Sequence, residues 1–261
     1  MSEITQKIAA TLWALGTAGE TIPSLPQDSR PQSEEQGREA QLFYPGLAND
    51  TIGGWKIAAT SAGGQKHIGV SGPLEGPYLS SHIYGPEAVV SMTGNHMAVA
   101  ETEFAFKFAH DLPSRSEPYD VGEVLDAVAS LHPSVEFPDS RIGDFANAGA
   151  AALLADCACS RDWVIGPATA VDWRGMNLAQ SPAKLIIDGE VAAEGTGADA
   201  LGDPLAALQW VVNRLSSRGI AIMAGQAITT GVCGLPKPIR AGNRVTADLG
   251  VFGTVSAQLV D

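Results

Sequence analysis

The chain has 261 residues, 45% hydrophobic and 17% charged, the composition of an ordinary globular protein with ample material for a core. Its formal net charge is −13 and its Lys and Arg residues are scattered, which argues against nucleic acid as a partner, because phosphate binding needs clustered cations. No stretch approaches the ~18 uninterrupted apolar residues of a membrane span, and the opening Met1-Ser-Glu-Ile-Thr-Gln-Lys lacks a secretory leader pattern, so neither membrane nor export is expected.

In chain order, Ser2 is placed to cap a helix whose apolar positions Ile4, Ile8, Leu12 and Leu15 share one face. A Pro- and Ser-rich loop runs from Gly16 to Pro31. Ser33 with Gln36 is a capping-box pattern opening a second helix through Ala40, Phe43 and Leu47. Gly53-Gly54 is expected to break the chain before a short strand at 55–60. The Gly- and Pro-rich run from Gly63 to Pro86 reads as a long loop. A strand follows at about 97–109, then a helix from Asp120 that Pro133 is expected to end, and a short strand at 135–137. The small-residue run 145–158 fits helix or strand. Asp188-Gly189 between two β-rich runs signals a hairpin. Asp203-Pro204 opens a strong amphipathic helix (Leu205, Leu208, Val211, Val212, Leu215) that Gly219 closes, and Gly-separated strands complete the chain. A helical front and a strand-rich remainder indicate an α+β fold.

The three cysteines, Cys157, Cys159 and Cys233, are too few and wrongly spaced for a disulfide framework, which fits a reducing cytoplasm. Cys157 and Cys159 lack neighbouring ligands for zinc and read as small buried thiols. The chain has no Gly-x-Ser-x-Gly elbow, no P-loop, no His-Glu-x-x-His and no dinucleotide fingerprint after a strand. The five histidines show no ligand spacing, and each reads as a surface or supporting residue.

What remains are acids. In the strand Val99-Ala-Glu-Thr-Glu-Phe-Ala-Phe, alternation puts Thr102, Phe104, Phe106 and Phe108 on one face and Val99, Glu101, Glu103, Ala105 and Lys107 on the other. Two carboxylates converging on one point call for a cation, and oxygen ligands favour Mg²⁺ or Mn²⁺. The same spacing also describes a strand with one solvated face. Glu136 lies between apolar Val135 and Phe137 and could complete a three-carboxylate site, with Asp139 on the following turn; taken alone, the two read more simply as a polar turn.

Several segments together resemble the fumarylacetoacetate hydrolase superfamily, in its 2-keto-4-pentenoate hydratase and 4-oxalocrotonate decarboxylase branch. They are Gly54-Trp-Lys56-Ile with Thr60-Ser61; Ile68-Gly69-Val70; Glu101-Thr-Glu103-Phe-Ala-Phe; Glu136-Phe-Pro-Asp139-Ser-Arg-Ile; Leu201-Gly-Asp-Pro-Leu with Gln209-Trp-Val-Val-Asn213; Ala224-Gly-Gln226 through Thr230-Gly231; and Gly253-Thr-Val-Ser256. The resemblance implies a mixed β-roll catalytic core over 63–261 and a small helical portion over 1–62. It implies a metal-dependent lyase, a hydratase or decarboxylase of 2-oxo and 2-hydroxy-dienoate acids in aromatic catabolism, working as a homo-oligomer. Glu101, Glu103 and Glu136 become the ligands of Mg²⁺ or Mn²⁺, Lys56 and Asp139 the catalytic residues, and Thr230 and Glu75 the substrate contacts. Acylpyruvate C–C hydrolysis and a non-catalytic assembly subunit are the alternatives. The hydrolases pair His with Glu on a lid, and this chain has no histidine before His67.

Three positions depart from the branch pattern. Cys157-Ala-Cys159-Ser160 replaces an Asn-Ala-Ser-Ser type run, Gly225-Gln226 replaces Gly-Asp, and an acid expected directly after Pro73 stands one place later, as Glu75. The departures imply an altered substrate contact.

Overall fold

The computed structural model describes residues 2–261. The first helix, α1 (Glu3–Ala18), is capped by a reciprocal Ser2–Thr5 box and buries Ile8 and Leu12. Ser33 caps α2 (Glu34–Gln41) through the Gln36 amide, and the expected second helix is divided, continuing as α3 (Tyr44–Ala48). These helices form one apolar cluster with Leu79, Ile142 and Ala152.

The strand β1 (Ile52–Ala58) runs through Gly53-Gly54 where a break was expected. A Cβ on Gly54 would lie 2.5 Å from the Ala227 carbonyl oxygen, so the glycine serves close strand approach rather than a turn. The expected long loop over 63–86 contains α4 (Ala62–His67) and the fully buried β2 (Leu74–Leu79), which pairs antiparallel with β1. Gly76 and Pro77 hide this strand from a propensity argument. β2 lies at the sheet edge, where proline is tolerated, and Gly76 faces the Cys157 carbonyl.

Two short strands, β3 (Ile83–Tyr84) and β4 (Ala88–Ser91), lead to the long β5 (Val99–Phe108). α5 (Val121–Ala127) is followed at once by β6 (Val128–Phe137), so Pro133 does not end a helix. β7 (Asp162–Ile165) pairs with β6 only as far as Ser134, which leaves Pro133 just beyond the ladder and its missing N–H without consequence there. Between them, α6 (Ala150–Ala155) resolves the small-residue run as helix.

The hairpin of β8 (Pro182–Ile187) and β9 (Glu190–Thr196) turns at Asp188-Gly189 with positive φ at both, as a type I′ turn needs. α7 (Pro204–Ser216) is capped by Asp203, and Gly219 follows with φ +76°. The chain ends in β10 (Ala227–Thr229), β11 (Lys237–Pro238), β12 (Arg244–Asp248) and β13 (Thr254–Val260).

One sheet has the order β2-β1-β10-β5-β6-β7-β3, with β11 also on β5, and the second has β4-β13-β12-β8-β9. The even-numbered face of β5 is the core side. Phe104, Phe106 and Phe108 pack with Trp55, Ile228 and the apolar stripe of α7. Ala100 packs with Val135, Phe137 and the second sheet's Val245, Ala247 and Val255. The odd-numbered face packs Ala105 against Tyr78 and Trp163 and, beyond it, carries Glu101 and Glu103.

Candidate metal centre

Register brings the acids together. β5 and β6 pair Glu101 directly opposite Glu136, and Glu103 opposite Ser134, so all three carboxylates rise from one face of adjacent strands. One carboxylate oxygen from each lies within 4.8 Å of the others. Lys56 reaches the cluster from β1, its Nζ 2.6 Å from Glu136 Oε2. Glu103 Oε2 accepts hydrogen bonds from the Thr229 hydroxyl and, at 2.7 Å, from the Gly231 amide. These contacts fix the carboxylate at the end of β10.

The electrostatics are unbalanced. Three acids and one ammonium share a buried space, and Glu136 is fully inaccessible to solvent. Burial, with the Glu136 charge added and Lys56 opposing, pushes Glu101 up to about 7. Burial and the charges of Glu136 and Glu101 hold Glu103 well above the carboxylate range. Burial presses the Lys56 ammonium down, but the charges of Glu136, Glu101 and Glu103 outweigh it and leave Lys56 above its ordinary value. Glu136 Oε1 is buried and has no hydrogen-bond partner among the described residues. A buried, unpartnered carboxylate oxygen within an excess of negative charge is what a hard divalent cation neutralises. Glu101, Glu103 and Glu136 therefore fit Mg²⁺ or a similar ion, with room left for ligands from the cavity side.

That cavity, about 340 Å³, opens above Lys56, Glu101 and Glu103. Its walls come from Ala59, Thr60 and Ser61 after β1, from α4 through His67, and from Met97, Val99, Phe145, Leu153, Cys159 and the 232–236 segment. His67 lies on this wall, its ring edge-on to Phe145 at 6.1 Å. The loop expected over 63–86 thus contributes a short helix over the cavity.

Three expected site residues stand elsewhere. Glu75 pairs with Ile57 in the β1–β2 ladder, while Lys56 pairs with Gly76, so Glu75 is on the opposite face of the sheet from Lys56. It is buried with Arg38 (2.9 Å) and Arg218 (3.1 Å) and has no place in the cavity. The Thr230 hydroxyl is tied to the Phe104 carbonyl at 3.1 Å, and its neighbour Thr229 is the residue that meets Glu103. Asp139 Oδ1 accepts from the His96 and Met97 amides at 2.7 and 3.0 Å, and Oδ2 meets Arg161 at 3.3 Å. It borders a second cavity of about 310 Å³ near Tyr78 and Arg141. With both oxygens engaged, Asp139 holds the 96–97 turn instead of reaching the acids.

The replaced family run forms a sharp left-handed turn, with φ of 53°, 50° and 62° at Cys157, Ala158 and Cys159. Each such residue costs roughly 1–2 kcal/mol. The turn presses against β2, where a Cβ on Gly76 would lie 2.0 Å from the Cys157 oxygen. It also turns Cys159 onto the cavity wall. Sequence reasoning missed Thr229 as a neighbour of the site, while the departure at Cys159 had marked that residue.

No family model matches the chain. It is 30% identical to the 2-keto-4-pentenoate hydratase of Burkholderia vietnamiensis over 97% of both chains. The chain belongs to this hydratase and decarboxylase branch of the fumarylacetoacetate hydrolase superfamily. Another relative in the branch is the 4-oxalocrotonate decarboxylase of Pseudomonas putida, 29% identical over 80% of this chain and 78% of that protein. The fold agrees with a 4-oxalocrotonate decarboxylase from Pseudomonas putida G7, complexed with magnesium and adipate. The TM-score is 0.88 at 24% identity, covering 99% and 98% of the two chains. Among the described residues of this branch member, no helix is long and apolar enough to cross a membrane.

Proposed function

We propose that this protein is a divalent-metal-dependent lyase that hydrates 2-hydroxy-dienoate acids, as a 2-keto-4-pentenoate hydratase does. The observation that carries the reading is the cluster of three carboxylates, Glu103 and Glu136 fully buried, beside one lysine at the foot of a cavity. Glu101, Glu103 and Glu136 would hold Mg²⁺ or Mn²⁺, which when bound supplies Lewis acidity toward the carboxylate and 2-oxygen of a 2-oxo acid.

The chain's own residues do the rest. The Lys56 ammonium, held by Glu136, places a donor and a positive charge beside the 2-oxygen as negative charge develops there. Thr229 and the Gly231 amide fix Glu103 so that the acids need not rearrange. Apolar walls exclude bulk water and strengthen each charge interaction within. Ketonisation delivers a proton to C5 of the dienol. Water then adds across the conjugated enone, its oxygen to C4 and its proton to C3. Asp139 acts as a positioning residue that holds Met97 on the cavity wall.

We extend the proposal to a cytoplasmic homo-oligomer. Three free cysteines fit a reducing compartment, and Val89, Val191 and Val251 are exposed. Sedimentation equilibrium that returned a monomer at all concentrations would refute the oligomer.

The activity is tested by incubating the protein with 2-hydroxypenta-2,4-dienoate, 4-oxalocrotonate and an acylpyruvate, each with Mg²⁺ or EDTA. Metal-dependent hydration of the dienoate is expected. CO₂ release from 4-oxalocrotonate alone would reassign the protein as a decarboxylase, and acylpyruvate cleavage as a hydrolase.

A further inference from the structure

The cavity above the acids is chemically two-sided. At its foot are Lys56, Glu101 and Glu103, the groups that would meet the oxo-acid end of a substrate. Most of the remaining lining is apolar, with Ile68, Met97, Val99, Phe145, Leu153 and Leu235 against the two hydroxyls of Thr60 and Ser61. Of all the lining residues, only Lys56 and His67 can carry positive charge. Lys56 is already committed to Glu136 at 2.6 Å. No arginine reaches the cavity; Arg38 and Arg218 are bound to Glu75 on the other face of the sheet, and Arg141 is bound to Asp156.

We infer that this protein selects 2-oxo acids whose far end is an uncharged apolar group, alkyl or aryl, and rejects those that carry a second carboxylate there. The inference rests on the metal-centre reading above and adds to it which substrate the far wall accepts. A carboxylate lodged against Ile68, Val99 and Leu153 would give up water for hydrocarbon with no counter-ion in reach. An alkyl chain in the same place removes apolar surface from water on both partners. Cys159 strengthens the discrimination. It stands on this wall in the run where the branch pattern has Ser, and burial pushes its thiol up to about 12, so it adds neither charge nor a strong donor. Leu235 also lines the cavity and is 67% exposed, so a substituent that reached it would cover apolar surface.

The test uses three saturated 2-oxo acids that share the chelating end: pyruvate, 2-oxohexanoate and 2-oxoadipate. The last two differ only by a terminal methyl or carboxylate. Each is titrated calorimetrically into the Mg²⁺-loaded protein and into protein kept in EDTA, so that binding is read without turnover. We expect metal-dependent binding, with 2-oxohexanoate at least about tenfold tighter than pyruvate and than 2-oxoadipate. If 2-oxoadipate binds as tightly as 2-oxohexanoate or better, the inference falls while the metal centre stands. If none of the three binds in a metal-dependent way, the metal-centre reading falls and takes the inference with it.

Two variants locate the discrimination. Leu235→Arg, at an exposed position that the fold tolerates, should improve 2-oxoadipate relative to 2-oxohexanoate by about tenfold. An unchanged ratio would show that the far end does not reach this wall. His67→Gln should leave the ratio within about threefold. A ratio that moves tenfold further against 2-oxoadipate would make His67 a carboxylate partner and overturn the inference.

Discussion

Two acid clusters lie on opposite faces of one sheet, and they differ in charge balance. On the Lys56 face, Glu101, Glu103 and Glu136 outnumber one ammonium, and a cavity opens beside them. On the Glu75 face, one carboxylate is surrounded by Arg38, Arg218 and, at 3.6 Å, Arg214, with Glu34 completing a bond to Arg38. Burial there presses the Arg218 guanidinium down, against the Glu75 charge. Both clusters are acids in low dielectric. The first lacks cations and can gain one; the second holds its cations within the chain and ties α2 and α7 to the sheet edge. Burial of an acid therefore says little about function. The excess of charge and the adjoining space are what separate a metal centre from a structural brace.

Breaking the brace should have the largest effect. Glu75→Gln leaves Arg38 and Arg218 buried without their anion, and we expect a loss of about 3–5 kcal/mol in urea unfolding. Metal affinity should not change, and a parallel loss of metal binding would refute the separation of the two clusters. On the other face, Glu101→Gln removes one of the three clustered carboxylates. Metal affinity and turnover should fall on the order of 100-fold, about 2.7 kcal/mol, with the melting temperature of the metal-free protein undiminished.

Metal removal sharpens the contrast through pH. Glu101 is pushed up to about 7 in the folded chain, so between its unfolded value and 7 the folded state holds the extra proton. The metal-free protein should therefore lose stability as pH rises from 5 to 8. Mg²⁺ at about 100 times its dissociation constant should restore about 2.7 kcal/mol at the upper end. A melting temperature in EDTA that climbs over the same range would contradict the crowded-carboxylate picture. Gly76→Ala, which drives a Cβ into the Cys157 carbonyl on the Lys56 face, should cost about 1–3 kcal/mol in thermal unfolding. The smallest effect is expected from Thr229→Val, which frees Glu103 on one side. Metal affinity should drop roughly tenfold with the Glu103 ligand itself intact.

Much of this was legible in the residues. Alternation along β5 separated the phenylalanine face from the glutamate face, and both faces stand as expected. Ser2, Ser33, Asp203 and Asp188-Gly189 marked caps and a turn that the structure retains, because these signals act over three or four residues. The strand at 74–79 and the passage of β6 through Pro133 were not legible. Glycine and proline there answer to a neighbouring backbone and to the end of a ladder, which local propensity does not contain.

The sequence by itself determined which residues are acidic, which alternate, and to which branch the chain belongs. Tertiary structure decided which acids meet. A register pairing across β5 and β6 put Glu136 opposite Glu101, and the same period-2 rule in β1 and β2 turned Glu75 away from Lys56. A one-residue change in register would exchange those faces, and register is set by how two distant strands pack.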